Sequence, residues 1–537
     1  MIKGEQIDVQ LPEYINLGSY YLDVNLALGR ADMAALHYKG QVYSFLDLWR
    51  LTNRVGNVLK AVGVEPENRV LLILEDTPEW AAAWLATMKL GAVGTHAYTY
   101  LHTKDYRHLL ELVRPKVVVV GSNALERVRE ARRGLAYPKA LLVSGEAVGG
   151  LQEGEFVLRE MIESSDAELS VVRTHRDDIA FWNFSGGTTG QPKGVPHTHR
   201  DGVLAYETFN HILGYGPDDI VLRVPKLFFH YARDLGFLFP LRAGASIVLC
   251  DEKSTAPRIF ELVAQYRPSV LINVPTMMRA MIQTPAEQRA DLHCVRRCMS
   301  SGELLSAELN AEWVETFGSE VVNRFGSAES GMGYLCNRPG AVRPGSSGSV
   351  TPLAEVKIIA NDGTEVEKGT TGLLLVHCDA AAQYYVRNHE KSKATFLGDG
   401  WINTGDLFFQ DDDDYFWYVG RANDMVKVSG VWIAPPDIEK ALATHDEVLE
   451  CAVLSVAGRD GLTLIKAFVV LRHGITPTSG RAEGLRRFCQ ELQGPHKAPR
   501  LIEFMDELPK TGQGKIDRRL LREQGADSQT VSQDRKD

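Results

Sequence analysis

Short apolar runs alternate with amphipathic stretches through the first 330 residues of the chain. Residues 70–74 (Val-Leu-Leu-Ile-Leu) are continuously apolar, the pattern of a strand covered on both faces. Asp76-Thr77-Pro78 follows with the form of a helix start, Pro being suited to the first turn. It predicts a helix over 79–90 that stops at Gly91. Further strands are predicted at 116–120, 140–143, 179–184, 247–250, 270–274 and 321–325. Strand–helix alternation on this scale means an α/β fold with largely parallel sheets, whose ligands sit beyond the strand carboxyl ends.

The pattern changes after about Pro339. Residues 345–350, 356–360, 372–377 and 415–419 read as short strands joined by turns such as Asn361-Asp362-Gly363, a small β-rich unit. The acidic run 411–414 between two of them reads as a solvated turn rather than a metal site. Another α/β stretch follows Arg421, with strands at 448–456 and 465–471 and a helix over 483–492. The tail from about Glu523 is polar, lacks periodicity and is predicted to fray.

Composition narrows the class without naming it. With 44% apolar and 24% charged residues, the chain cannot be mainly disordered. The 59 Lys and Arg against 69 Asp and Glu give a net charge of −10, which argues against a dedicated nucleic-acid binder. Seven cysteines, an odd and sparse set, suggest reduced core thiols rather than a disulfide framework. The N-terminus has no apolar signal-like core, and no apolar run approaches the roughly 20 residues that cross a bilayer. A cytoplasmic protein without a membrane span is expected.

The most informative segment is Phe184-Ser-Gly-Gly-Thr-Thr-Gly-Gln-Pro-Lys-Gly194. A predicted buried strand runs into a loop of glycines, hydroxyls and a lysine. Glycines let backbone N–H groups converge on phosphate oxygens, and hydroxyls and Lys193 add donors and charge. A kinase-type P-loop is excluded, because Lys193 precedes Gly194 instead of a Ser or Thr opening a helix.

This segment resembles the phosphate loop of the acyl-adenylate-forming superfamily, which includes acyl- and aryl-CoA ligases. Further motifs follow in that family's order. Asn323-Arg-Phe-Gly-Ser-Ala-Glu329 resembles the second nucleotide motif, Thr404-Gly-Asp406 the ribose-binding segment, and Ser300-Ser-Gly-Glu303 the loop beside the adenine. The segment 420–430 resembles the interdomain hinge, and 508–515 (Leu-Pro-Lys-Thr-Gly-Gln-Gly-Lys) the C-terminal motif with its catalytic lysine. The resemblance covers nearly the whole chain.

What the resemblance implies is specific. Lys515 would bridge carboxylate and phosphate oxygens, and Glu329 and Thr188 would position Mg²⁺. Lys193, with the loop residues Ser185, Gly186, Gly187, Thr188, Thr189 and Gly190, would hold the ATP phosphates. Ser301, Gly302, Glu303, Asn323, Arg324 and Phe325 would contact the nucleotide, and Asp406 and Arg421 the ribose. Lys427 and Gly430 would line the thiol tunnel, and Asn423 would be the hinge. The implied architecture is a large N-terminal domain, 1–421, made of α/β subdomains 1–175 and 176–338 and a β-rich subdomain 339–421. A hinge at 422–424, a small mobile α+β domain at 425–525 and a flexible tail at 526–537 complete it.

The likeness is nearest to benzoate-type CoA ligases, carried by 11–23, by Lys226-Leu-Phe-Phe-His-Tyr231 and by Val195-Pro-His-Thr-His199. It implies an aromatic carboxylate, ATP and CoA as substrates, with Phe229, His230, Tyr231, Gly326, Met332 and Gly333 lining the acid pocket. Phe228 is expected in the core, and His230 or Tyr231 is the alternative for an aromatic gate. Gly333 stands where such ligases carry a bulkier aliphatic residue. The freed space favours a substituted benzoate, 2-aminobenzoate first. The alternative acceptor is a carrier-protein thiol, and a third reading is a catalytically silent binding protein. Monomer and homodimer are both open. Gly186, Ala328 and Asn423 depart from the family pattern, and Ala328 removes a hydroxyl expected near the α-phosphate, which implies slower adenylation.

Overall fold

The computed structural model describes residues 1–147, 149–186, 192–422, 426–428, 431–433, 435–457, 463–494, 498–510 and 516–527. They fall into two compact units. One holds 1–185, 192–357 and 375–403; the other holds Gly186, 358–374 and the described residues from 404 onward.

The larger unit is built on two sheets. The first has seven strands in the order Pro192–Thr198, Ile179–Gly186, Val93–His96, Arg69–Ile73, Val117–Gly121, Ala140–Ser144 and Glu155–Val157. From Val93–His96 to Glu155–Val157 the pairing is parallel throughout. The four valines and the glycine of Val117–Gly121 are all buried, as the apolar runs demand of a sheet covered on both faces. The predicted helix forms as Pro78–Lys89. Thr77 caps it by accepting from the Trp80 N–H at 3.3 Å, Pro78 sits in its first turn, and Gly91 follows its end at φ +64°.

The second sheet has nine strands and carries the carboxyl ends that matter for the site. Its central order is Gly333–Cys336, Val321–Gly326, Arg297–Ser300, Val270–Asn273, Ile220–Arg223 and Ser246–Val248. Parallel register places Asn273 beside Ser300 and Ser300 beside Asn323. Val321–Gly326 then turns back antiparallel into Gly333–Cys336, with Gly326 opposite Gly333 and a bulge at Phe325/Gly326.

The smaller unit contains the antiparallel pair formed by the end of Trp401–Gln410 and Phe416–Arg421. It also contains a sheet of Val448–Ala457, Thr463–Leu471 and Leu501–Phe504. Helices Pro435–Ala443 and Ser479–Gln493 cover one face through Ile438, Leu442 and Leu485. On the other face Leu521 packs with Leu454 and Phe468.

Three expectations need correction. The tail does not fray from Glu523: helix Arg518–Asp527 continues past it, and 528–537 of the expected flexible tail lie outside the described residues. Leu521 is fully enclosed, and burying such a side chain is worth about 1.5–3 kcal/mol. The strand expected at 345–350 shrinks to Ser349–Val350, because Gly345 and Gly348 adopt φ of +83° and +88°. The strand expected at 247–250 ends at Val248. The acidic run does form a turn: the Asp411 carboxylate accepts from the N–H groups of Asp413 and Tyr415 at 3.1 and 2.9 Å. No group of three or more metal-ligating side chains is gathered among the described residues. No helix among them is long and apolar enough to cross a membrane.

Candidate active site

Glu329 is the centre of the first constellation. It follows the strand Val321–Gly326 and is only 9% exposed. The Tyr385 phenol donates to Glu329 Oε1 at 2.6 Å, and the Ser185 hydroxyl, at the end of Ile179–Gly186, donates to the same carboxylate. The Lys193 ammonium lies 4.0 Å over the Tyr385 ring. Burial pushes the Glu329 carboxyl upward, but the Ser185 and Tyr385 donors and the Lys193 charge outweigh it and hold it below the usual carboxylate range. Backbone bonds fix the arrangement: Ala382 N–H donates to Glu329 O at 2.9 Å, and Val386 N–H to Gly194 O at 2.9 Å.

The segment 195–199 is scaffold for this centre. His197 is fully buried, with Nε2 2.7 Å from Ala328 O and Nδ1 3.2 Å from the Asp201 carboxylate. Ala328 packs with Val195, Ala382 and Tyr385, so its methyl group supports the phenol that reaches Glu329. Tyr385 was not singled out by the sequence, since no local pattern separates it from Tyr384. Tyr385→Phe is expected to lower kcat/KM for ATP about 10-fold, the cost of one bond to a charged group. An unchanged value at unchanged Tm would assign the phenol to packing alone.

The second constellation lies on the same strand and hairpin. Arg324 is 5% exposed, and its guanidinium stacks 5.1 Å over Phe209 and 5.8 Å over Tyr231. The slot it fills is made by two glycines. A Cβ at Gly333 would lie 2.3 Å from Arg324 Nε and 2.8 Å from Phe209, and one at Gly326 would lie 3.2 Å from Arg324 Nη2. The expectation that Gly333 frees space for the acid is therefore corrected: the chain's own Arg324 occupies that space. Met332 is buried beside this hairpin. Tyr231 is 6% exposed and its phenol donates to Asn273 O at 3.2 Å. Phe228 is half-buried, 4.5 Å from Phe229 and 4.7 Å from Tyr98 between ring centroids, rather than deep in the core. His230 is half-buried and opens the helix His230–Arg233.

The strand ends beside it carry orphaned polar atoms. Ser300 Oγ and Asn323 Oδ1 are enclosed without a hydrogen-bond partner among the described residues, although Asn323 Nδ2 donates to Ser346 O at 3.1 Å. Ser301 is buried and Gly302 adopts φ +87°. The Glu303 carboxylate accepts from the Thr276 N–H at 3.0 Å, the start of helix Pro275–Gln283. The Phe325 ring packs edge-on against Tyr334 at 5.9 Å.

In the smaller unit, register places Asp406 opposite Arg421, with Nε 3.0 Å from Oδ1. Arg421 Nη1 also donates to Thr404 O at 2.9 Å. Gly187, Thr188, Thr189, Gly190, Asn423, Gly430 and Lys515 lie outside the described residues, as does the side chain of Lys427 on the strand Val426–Val428. The chain around the C-terminal motif is anchored: Lys510 bridges to Ile516, and Asp517 N–H donates to Pro509 O at 2.7 Å.

Parallel strands ending in partnerless polar atoms, beside a carboxylate held ionised by Ser185, Tyr385 and the Lys193 charge, mark the end of the sheet at which α/β proteins bind their ligands. The AMP-binding enzyme family model matches residues 25–386, and the AMP-binding enzyme C-terminal domain model matches 437–515. The chain belongs to that family, the acyl-adenylate-forming superfamily. It is 36% identical to the 4-hydroxybenzoate–CoA/benzoate–CoA ligase of Rhodopseudomonas palustris over 506 residues, 94% of this chain and 93% of that one. Among solved structures it resembles the anthranilate CoA ligase AuaEII in complex with anthranoyl-AMP, with a TM-score of 0.89, 33% identity, and coverage of 96% and 98% of the two chains. A benzoate CoA ligase from Burkholderia xenovorans LB400 matches with a TM-score of 0.85, 34% identity, and coverage of 95% and 100%.

Proposed function

We propose that the chain is an ATP-dependent aryl-CoA ligase. It joins a benzoate-type carboxylate to AMP with release of pyrophosphate, then passes the acyl group to the thiol of CoA with release of AMP. One observation carries the reading: a single strand end presents the ionised Glu329 and, five residues earlier, Arg324 among aromatic rings. Charge handling and ring binding are thereby held side by side within one unit.

The residues fit ATP and Mg²⁺. Ser300 Oγ and Asn323 Oδ1 are acceptors or donors in want of a partner at the strand carboxyl ends. A carboxylate has about four lone-pair sites, and Ser185 and Tyr385 take two, leaving Glu329 oxygen for a hard cation. Bound there, Mg²⁺ would offset phosphate charge. Lys193 holds the β,γ-phosphates, Asp406 and Arg421 take the ribose hydroxyls, and Lys515 steadies the charge that builds at the α-phosphate. The acid needs no general base, being ionised at neutral pH. Residues 1–421 form the adenylating domain, 422–424 the hinge, and 425–525 a mobile domain that brings Lys427 and Gly430 to the thiol tunnel.

A second reading of the acid, 2-aminobenzoate, is favoured by the likeness to the anthranilate ligase. A panel of benzoate, hydroxybenzoates, 2-aminobenzoate, cinnamate and a fatty acid, scored by kcat/KM for thioester formation, tests both. At least one benzoate should exceed the fatty acid by about 10²-fold or more. A fatty acid used best would overturn the aryl assignment. Transfer to a carrier protein with none to free CoA would replace the acceptor.

A further inference from the structure

Arg324 poses a question that the ligase reaction does not answer. A guanidinium this deeply buried ordinarily sits against a carboxylate, because an unpaired buried charge is costly. Here it makes no hydrogen bond with any described residue, and its Nε is enclosed without a partner. The rings of Phe209 and Tyr231 satisfy its faces but not its N–H donors. The carboxylate whose charge it feels, Asp234, is bonded to the Arg233 Nε at 2.8 Å, so the trio carries one uncompensated positive charge.

The hairpin is shaped around this side chain. Gly326 and Gly333 stand opposite each other, and a Cβ on Gly333 would collide with the Arg324 stem. Two glycines make room for one arginine, whose guanidinium is left among the rings of Phe209 and Tyr231 with its Nε enclosed and unpartnered.

We propose that Arg324 selects the acid by donating to an oxygen on its aromatic ring, so that ring-hydroxylated benzoates are the substrates used best. The inference rests on the aryl-ligase reading and adds the substituent. A phenolic oxygen accepts from the fork, whereas a methyl group of similar size leaves the guanidinium buried and unsatisfied. An aniline nitrogen, its lone pair delocalised into the ring, accepts poorly, which separates this proposal from the 2-aminobenzoate reading.

The test measures kcat/KM for pyrophosphate release by wild type, Arg324→Met and Arg324→Lys. The acids are 3- and 4-hydroxybenzoate, the matching methylbenzoates, 2-aminobenzoate and benzoate. Wild type should prefer a hydroxy acid to its methyl counterpart by about 10²-fold or more at one ring position. Arg324→Met should bring that ratio to within a few-fold of one, and Arg324→Lys, which keeps charge but loses the fork, should retain part of it. The wild-type comparison needs no variant to fold. A wild type that uses methyl or amino acids as well as hydroxy acids, or an Arg324→Met that keeps the ratio, overturns the inference and leaves the ligase reading standing. Release with none of the aryl acids fails the ligase reading, and the inference with it.

Discussion

Glu329→Gln is expected to lower acyl-adenylate formation by about 10²–10³-fold at saturating ATP and magnesium, the loss typical when one preorganised charge is removed from a transition state. The amide has nearly the carboxylate's shape, so packing against Ala382 and Tyr385 is kept while the negative charge is lost. Ser185 and Tyr385 would then donate to an amide oxygen, and Lys193 would lose the charge it faces. Pyrophosphate release against magnesium concentration is the measurement, with Tm as the check on folding. An unchanged rate would reduce Glu329 to a structural carboxylate. The pH dependence has a definite sign. Because the folded carboxyl is held below its ordinary 4.5, its ionised form stabilises the fold at neutral pH. That advantage over the glutamine variant is lost as pH falls from 4.5 through the lower folded value.

Lys515→Ala is expected to have an effect of similar size, confined to the first half-reaction. By resemblance this lysine stands beside the carboxylate and the α-phosphate only while the adenylate forms. Adenylation should therefore fall about 10²-fold or more, while transfer from a supplied acyl-adenylate to CoA stays within a few-fold. The two half-reactions are separable by assaying thioester from synthetic acyl-adenylate. Equal losses in both would show that Lys515 does not leave the site between steps.

The parts of the fold legible in the sequence are those whose burial is local. Continuous apolar runs at 70–74, 117–120 and 270–272 become interior strands because both faces of a parallel sheet must be covered. Arg297–Ser300 and Pro192–Thr198 were not legible. Their residues are polar or proline-bearing, and they are strands because neighbours complete their ladders. The tail helix Arg518–Asp527 was missed for a related reason: Leu521 is held by Leu454 and Phe468, far away in sequence.

The site divides in the same way. Glycines, a lysine and one carboxylate in a fixed order can be seen in the chain alone, and the structure brings Ser185, Lys193 and Glu329 together. Tyr385 and Phe209 cannot be picked out in this way, since an aromatic residue that serves a site looks like any other core residue until the chain folds. By its place in a motif Arg324 is expected to contact the nucleotide, and its stacking on Tyr231 places its side chain beside a residue expected to hold the acid. Seven free cysteines fit the reduced-thiol expectation; burial pushes the Cys336 and Cys489 thiols up to about 11 and disfavours the reactive thiolate.

The most direct measurement of the central claim is product stoichiometry with purified protein, ATP, magnesium, CoA and a hydroxybenzoate. An aryl-CoA ligase yields one AMP, one pyrophosphate and one aryl-CoA per acid consumed, with none formed when the acid is omitted. Hydrolysis to ADP and phosphate, or AMP release without thioester in the presence of CoA, would contradict that claim.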